Sequence, residues 1–192
     1  MTAIPLPPTH LLTVREYLSL GEDEYGRSEL QEGSLVMSPS PIPNHNVAAY
    51  RLAAALDQQL PDHLEPILDI DVDLLLAPAD GPGTCRRPDV AVVHKAARPR
   101  VHAEGGSLRA SDVVLAVEVT SPGSRRTDNV IKRLEYADAG IPHYWIVDLD
   151  DPVTLLACRR HDELGYVESQ HATHTFTATE PFAVTIGLDQ LY

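Results

Sequence analysis

The sequence predicts one mixed β-sheet flanked by helices, an α/β (α+β) fold with extra strands at its C-terminal end. Three observations lead there. PDVAVVH (Pro88–His94) and DVVLAVEVT (Asp112–Thr120) are apolar, β-branched runs of the kind found in central strands covered on both faces. Helical patterns at His45–Leu60 and Arg125–Ala139 are interleaved with those runs, and the chain after Asp148 is strand-rich. A length of 192 residues suits one sizeable core, so residues 1–12 read as a Pro-rich extension and 13–192 as a single domain.

The elements follow in order. Thr13–Leu20 (TVREYLSL) predicts a short helix, with Thr13 and Glu16 at capping-box spacing. Gly21 stops it, and the acidic run Glu22–Glu24 predicts a solvated turn. ELQEGSLVMS (Glu29–Ser38) predicts a hairpin turning near Glu32-Gly33. The connector SPSPIPN leads to Asn44, the expected cap of a helix over His45–Leu60. Its buried stripe is His45, Ala49, Leu52, Leu56 and Leu60. ILDIDVDLLL (Ile67–Leu76) alternates in its first half and predicts a strand, followed by a Pro/Gly loop to Cys85. The helix Arg125–Ala139 closes at Gly140, with Pro142 shortly after. HYWIVD (His143–Asp148) and Val153–Cys158 predict further strands.

No apolar run approaches the roughly 20 residues needed to span a bilayer. The N-terminal segment lacks the basic start and apolar stretch of a secretory signal. Two cysteines are too few for a disulfide framework or a zinc site, and a reducing cytoplasm is the expected location. A net charge of −13 argues against phosphate binding, which relies on Lys and Arg. The placement of charge argues the other way. Ten of the 15 basic residues, but five of the 28 acidic ones, lie between Arg86 and Arg133. That window suits a local site for an anion, although arginines on solvated loops would give the same count.

Two carboxylates stand where carboxylates are expensive. Asp89 begins an apolar strand, and Glu118 lies among Leu115, Ala116, Val117 and Val119. An ionised side chain buried there needs a partner. A hard cation with oxygen ligands would serve, and so would a neighbouring arginine, Arg86 or Arg87. The helix after Glu118 places Asp128, Lys132 and Tyr136 along one face. A short strand-to-helix loop can bring Lys132 to the Glu118 carboxylate, where it would stabilise charge developing on a phosphate or help orient the attacking water. The plainer alternative is a surface i,i+4 salt bridge between Asp128 and Lys132.

PDVAV, EVTSP, D-x-x-x-K-x-x-x-Y and GIPHYWIVD, in that order, resemble the Uma-type family of restriction-endonuclease-like proteins, within the PD-(D/E)XK nuclease superfamily. ELQEGSLVMSPSP and NHNVAAYRLAAAL resemble the family's N-terminal hairpin and helix, so the likeness runs from about Glu29 to Asp148. The resemblance implies a restriction-endonuclease-like fold and Mg²⁺, or Mn²⁺, held by Asp89 and Glu118. It also implies Glu29 as an accessory acid, and Lys132 in place of the lysine that the superfamily sets two residues after the Glu. Thr120 occupies that position here, on the same strand face as Glu118. SPG at Ser121–Gly123 also departs from the expected SPS.

Other features read more plainly. Asp69, Asp71 and Asp73 resemble a solvated strand edge. His161, His171 and His174 lack a matching ligand pattern for a transition metal. His45 reads as a packed structural histidine within approach of the site, and Tyr136 and Trp145 as core aromatics. The leading expectation is a metal-dependent endonuclease acting on DNA, with Asp89, Glu118, Lys132 and Glu29 at its centre and the Val119 carbonyl as a further ligand. The competing expectations are a catalytically silent binding or regulatory module with the same fold, and a metal-dependent phosphodiesterase acting on RNA or a smaller substrate. A homodimer would suit cutting both strands of a duplex.

Overall fold

A computed structural model describes residues 9–20, 28–37 and 42–192. The turn expected at Gly21–Glu24, most of the SPSPIPN connector and residues 1–8 of the Pro-rich extension lie outside the described residues. The framework is a six-stranded mixed sheet. Its strands are β3 (Leu64–Leu68), β6 (Val90–His94), β8 (Val113–Thr120), β9 (His143–Asp148), β10 (Thr154–His161) and β11 (Gly165–Thr173). Across the sheet they run β11-β10-β9-β8-β6-β3. β8 and β9 are parallel and the other pairs antiparallel. A parallel pair needs a crossover, and the helical segment between β8 and β9 supplies it.

A second, five-stranded sheet has the order β2-β1-β5-β4-β7. It comprises β1 (Ser28–Gln31), β2 (Ser34–Met37), β4 (Val72–Asp73), β5 (Cys85–Arg86) and β7 (Leu108–Arg109). The hairpin β1–β2 turns at Glu32 and Gly33, both at positive φ (48° and 78°), a backbone for which the glycine is suited. A last hairpin, β12 (Thr175–Ala178) with β13 (Val184–Gly187), packs against the large sheet.

Period-two alternation sends the strands of the large sheet into two cores. Leu115, Val117 and Val119 of β8 face one side with Val90 and Val92, where they meet Leu52 and Leu56 of helix α2 (Pro43–Asp57). Trp145 lies on that side too, edge-on to Phe176 at 4.8 Å. Ala116 faces the other way with Ala91, Val93, Tyr136 and Tyr144. This second layer is roofed by α3 (Ala97–Glu104) and by the crossover, in which a π-helical turn at Thr127–Lys132 runs into α4 (Arg133–Asp138). The Tyr144 hydroxyl donates to the Asp128 carbonyl at 2.8 Å, supporting the π turn from beneath.

Helix α1 (Val14–Ser19) carries the expected capping box between Thr13 and Glu16. Helix α2 differs from expectation: Ile42 is its N-cap and Pro43 its first residue, and it ends at Asp57 rather than Leu60. Proline at the first helical position, where no N–H is needed, starts it before Asn44. Ile67–Leu76 is not one strand. β3 stops at Leu68, Asp69 turns at φ 51°, and the chain passes to β4 in the smaller sheet. The three aspartates do not share one strand edge: β4 lies between β5 and β7, and Asp71 receives a two-pronged ion pair from Arg87 at 3.0 Å, while Asp69 is exposed as expected. Helix α3 was not expected, because ARPRVHAE has too few apolar residues to mark a face.

Candidate active site

β8, β6, β1 and the crossover helix bring their acids to one end of the large sheet. Asp89 stands one residue before β6, which pairs with β8 through Val90 and Val117. Its Oδ2 accepts the Val119 N–H at 2.7 Å and lies 3.1 Å from His45 Nε2. Glu118 projects from β8 toward the crossover, and its Oε1 accepts from Lys132 Nζ at 2.9 Å and from the Tyr136 hydroxyl at 2.8 Å. Lys132 Nζ is also 3.0 Å from Glu29 Oε1 and 3.9 Å from Asp128 Oδ1. Glu29, Glu118, Asp128 and Lys132 are all buried.

Behind this group Arg86, fully buried, joins two elements. Its guanidinium donates to Glu29 Oε2 at 3.1 Å and to both oxygens of Glu135 at 2.6 and 2.8 Å. The Arg87 N–H adds a 2.8 Å bond to Glu29 Oε1. The front of the group opens on a cleft of about 390 Å³, lined by Glu29, His45, Asp89, Glu118, Asp128 and Lys132, with Val36, Met37 and Ile42 along an apolar wall.

The electrostatics are those of too many carboxylates for one lysine. Burial pushes the Glu118 carboxyl well above its usual range; Lys132 opposes this, while Asp89, Asp128 and Glu29 add to it. Asp128 is raised mainly by burial as well. Burial works against the Lys132 ammonium, but Glu118, then Glu29, Asp128 and Asp89, outweigh it and raise its pKa, so the lysine stays charged. Glu29 is also pushed up by burial, yet Lys132 and Arg86 together hold it below the ordinary glutamate value.

Each of the two strand-borne acids has one oxygen held by two donors. Among the described residues no hydrogen bond reaches Asp89 Oδ1 or Glu118 Oε2. Excess negative charge and uncommitted carboxylate oxygens suit a hard divalent cation. Among the described residues no group of three or more His, Cys, Asp or Glu is arranged to hold a metal by itself.

The family model described as "Uma2: Putative restriction endonuclease" matches residues 14–189. The chain belongs to the Uma2 family. The family description is that of a nuclease, and its match spans the crossover and both sheets. A crystal structure of "a putative nuclease belonging to DUF820" from Anabaena variabilis has the same fold, with a TM-score of 0.67 and 20% identity; the match covers 94% of this chain and 97% of that one. No curated protein matches the sequence. The fold is thus the restriction-endonuclease-like mixed sheet expected of the Uma2 family.

All four residues named from the sequence (Glu29, Asp89, Glu118 and Lys132) meet at this cleft. Among the described residues no arginine is recorded in an ion pair with Asp89 or Glu118; Arg86 binds Glu29 and Glu135, and Arg87 binds Asp71. Asp128 and Lys132 are not a surface pair, since both are buried. His45 reaches Asp89, and Tyr136 is both core residue and donor to Glu118. Of the ten basic residues in the window from Arg86 to Arg133, Arg86, Arg87, Arg98, Arg100, Arg109, Arg125, Lys132 and Arg133 each pair with a carboxylate, while Lys95 and Arg126 are exposed. The sequence held one signal for Tyr136, its place on the same helix face as Lys132, and one for His45, its place on the buried stripe of α2. Arg86 gave none, because full burial of an arginine is the exception.

Proposed function

We propose that this chain is a divalent-metal-dependent endonuclease that hydrolyses phosphodiester bonds in DNA. The observation that supports this most is a buried Lys132 held between Glu29 and Glu118, beside Asp89, at an open cleft. Asp89 and Glu118 would hold Mg²⁺, with Mn²⁺ as the alternative ion and the Val119 carbonyl as a further oxygen ligand. When bound, such an ion polarises the phosphoryl oxygens and lowers the pKa of a coordinated water. The chain's own residues prepare the rest. Lys132 puts a fixed positive charge beside the acids, where charge develops on the scissile phosphate. Glu29, itself held by Arg86 and the Arg87 N–H, keeps that ammonium in place. Tyr136 holds one Glu118 oxygen, and among the described residues the other accepts no hydrogen bond.

Plasmid cleavage in Mg²⁺ or Mn²⁺ tests the reading. D89A and E118A should each abolish cleavage while keeping the circular dichroism of the folded protein; full activity in either would refute the assignment. Thr120, at the position where the superfamily pattern has its lysine, favours a second reading, a silent binding module. It predicts nucleic-acid binding without turnover on DNA, RNA or small phosphodiesters, and the same substrates separate a DNase from an RNase.

A further inference from the structure

Helix α2 delivers one group to the cleft that the functional proposal leaves without a role. His45 sits in the first turn of α2, and its Nε2 lies 3.1 Å from Asp89 Oδ2. The imidazole is largely enclosed, with 13% of its side chain exposed, and Nδ1 is buried with no geometric hydrogen bond among the described residues. The Asp89 carboxylate is the strongest influence on the ring, and the Asn46 side chain and the Val119 backbone also favour its protonated form. Asp89 Oδ2 already accepts the Val119 N–H at 2.7 Å. Two donors converging on Oδ2 fix the rotation of the carboxyl group, and among the described residues Oδ1 accepts no hydrogen bond. The arrangement repeats what Lys132 and Tyr136 do to Glu118 Oε1.

We infer that His45 is a positioning residue for Asp89: its Nε2–H, with the Val119 N–H, holds Oδ2 and presents Oδ1 to the cation. The inference rests on the reading of Asp89 as a metal ligand. Partners that orient a ligating carboxylate characteristically govern metal affinity by about 10- to 100-fold. They do so without touching the ion, so the effect depends on a donor at this place and not on the aromatic ring.

The test is Mn²⁺ and Mg²⁺ binding by calorimetry at one pH, on wild type, H45F and H45Q, with thermal unfolding of the metal-free proteins alongside. Phenylalanine keeps a ring of similar size and removes the donor; glutamine restores an N–H at about the reach of Nε2. The expected result is binding about tenfold weaker in H45F, binding within about threefold of wild type in H45Q, and similar Tm values for all three. Equal affinity in wild type and H45F overturns the inference and leaves the metal site standing. Tighter binding in H45F overturns it as well, because the imidazole would then compete with the cation. A wild-type protein that takes up neither ion, alone or with DNA present, removes the metal-site reading and this inference together.

Discussion

Lys132 is the residue whose loss should be felt most widely. Substituting methionine leaves Glu29 and Glu118 buried without their shared cation. Breaking a buried pair from one side costs about 3–5 kcal/mol, so K132M should lose roughly that stability in urea unfolding as well as cleavage. An unchanged midpoint would mean that the pocket readily neutralises its acids. Glu29 gives the acid-side counterpart. Its folded pKa lies below the ordinary 4.5, so its stabilising contribution is present above that value and is lost as pH falls through the lower one. E29Q should flatten the decline of stability below pH 4.5, and an identical decline in both proteins would show that other groups govern it. Asp89 and Glu118 stood out in the sequence because they interrupt apolar runs, and Lys132 because of its helical spacing. The sequence marks the donors His45 and Tyr136 as packing residues, since a pattern of apolar positions reports which face is buried and not what its polar atoms touch.

At the level of the elements, α1 depends on a glycine. A Cβ at Gly83 would stand 2.5 Å from Val14 Cγ2 and 2.7 Å from the Val14 backbone nitrogen. The backbone cannot give as a side-chain tip can, so G83A should cost about 1–3 kcal/mol and speed amide exchange through Val14–Ser19. Exchange at wild-type rates would place the strain elsewhere. Helix α2 and strands β6, β8 and β9 were legible because period and composition agreed with their burial. The break at Asp69 was not, because alternation continues through the turn while the chain changes sheets. The π turn was equally hidden, since Asp128, Lys132 and Tyr136 fall on one side of the helix in either winding.

For the whole molecule, the lone tryptophan reports on how the C-terminal hairpin closes one of the two cores. Trp145 is buried and packs against Phe176, with Phe182, Ile186 and Leu188 in the same cluster. Removing residues 175–192 should expose it, red-shifting its emission and lowering the cooperativity of unfolding; an unshifted spectrum would show that the large sheet buries it without help. The sequence predicts strands after Asp148 but not that the last two, β12 and β13, form a lid over the apolar face, because packing between distant segments leaves no local trace. The crossover between β8 and β9 has a further consequence, in the order of synthesis. Glu29, Asp89 and Glu118 all leave the ribosome before Lys132. A nascent chain that stops short of the crossover helix carries the carboxylates without their lysine, so the proposed cleaving site stays incomplete until that helix has been made.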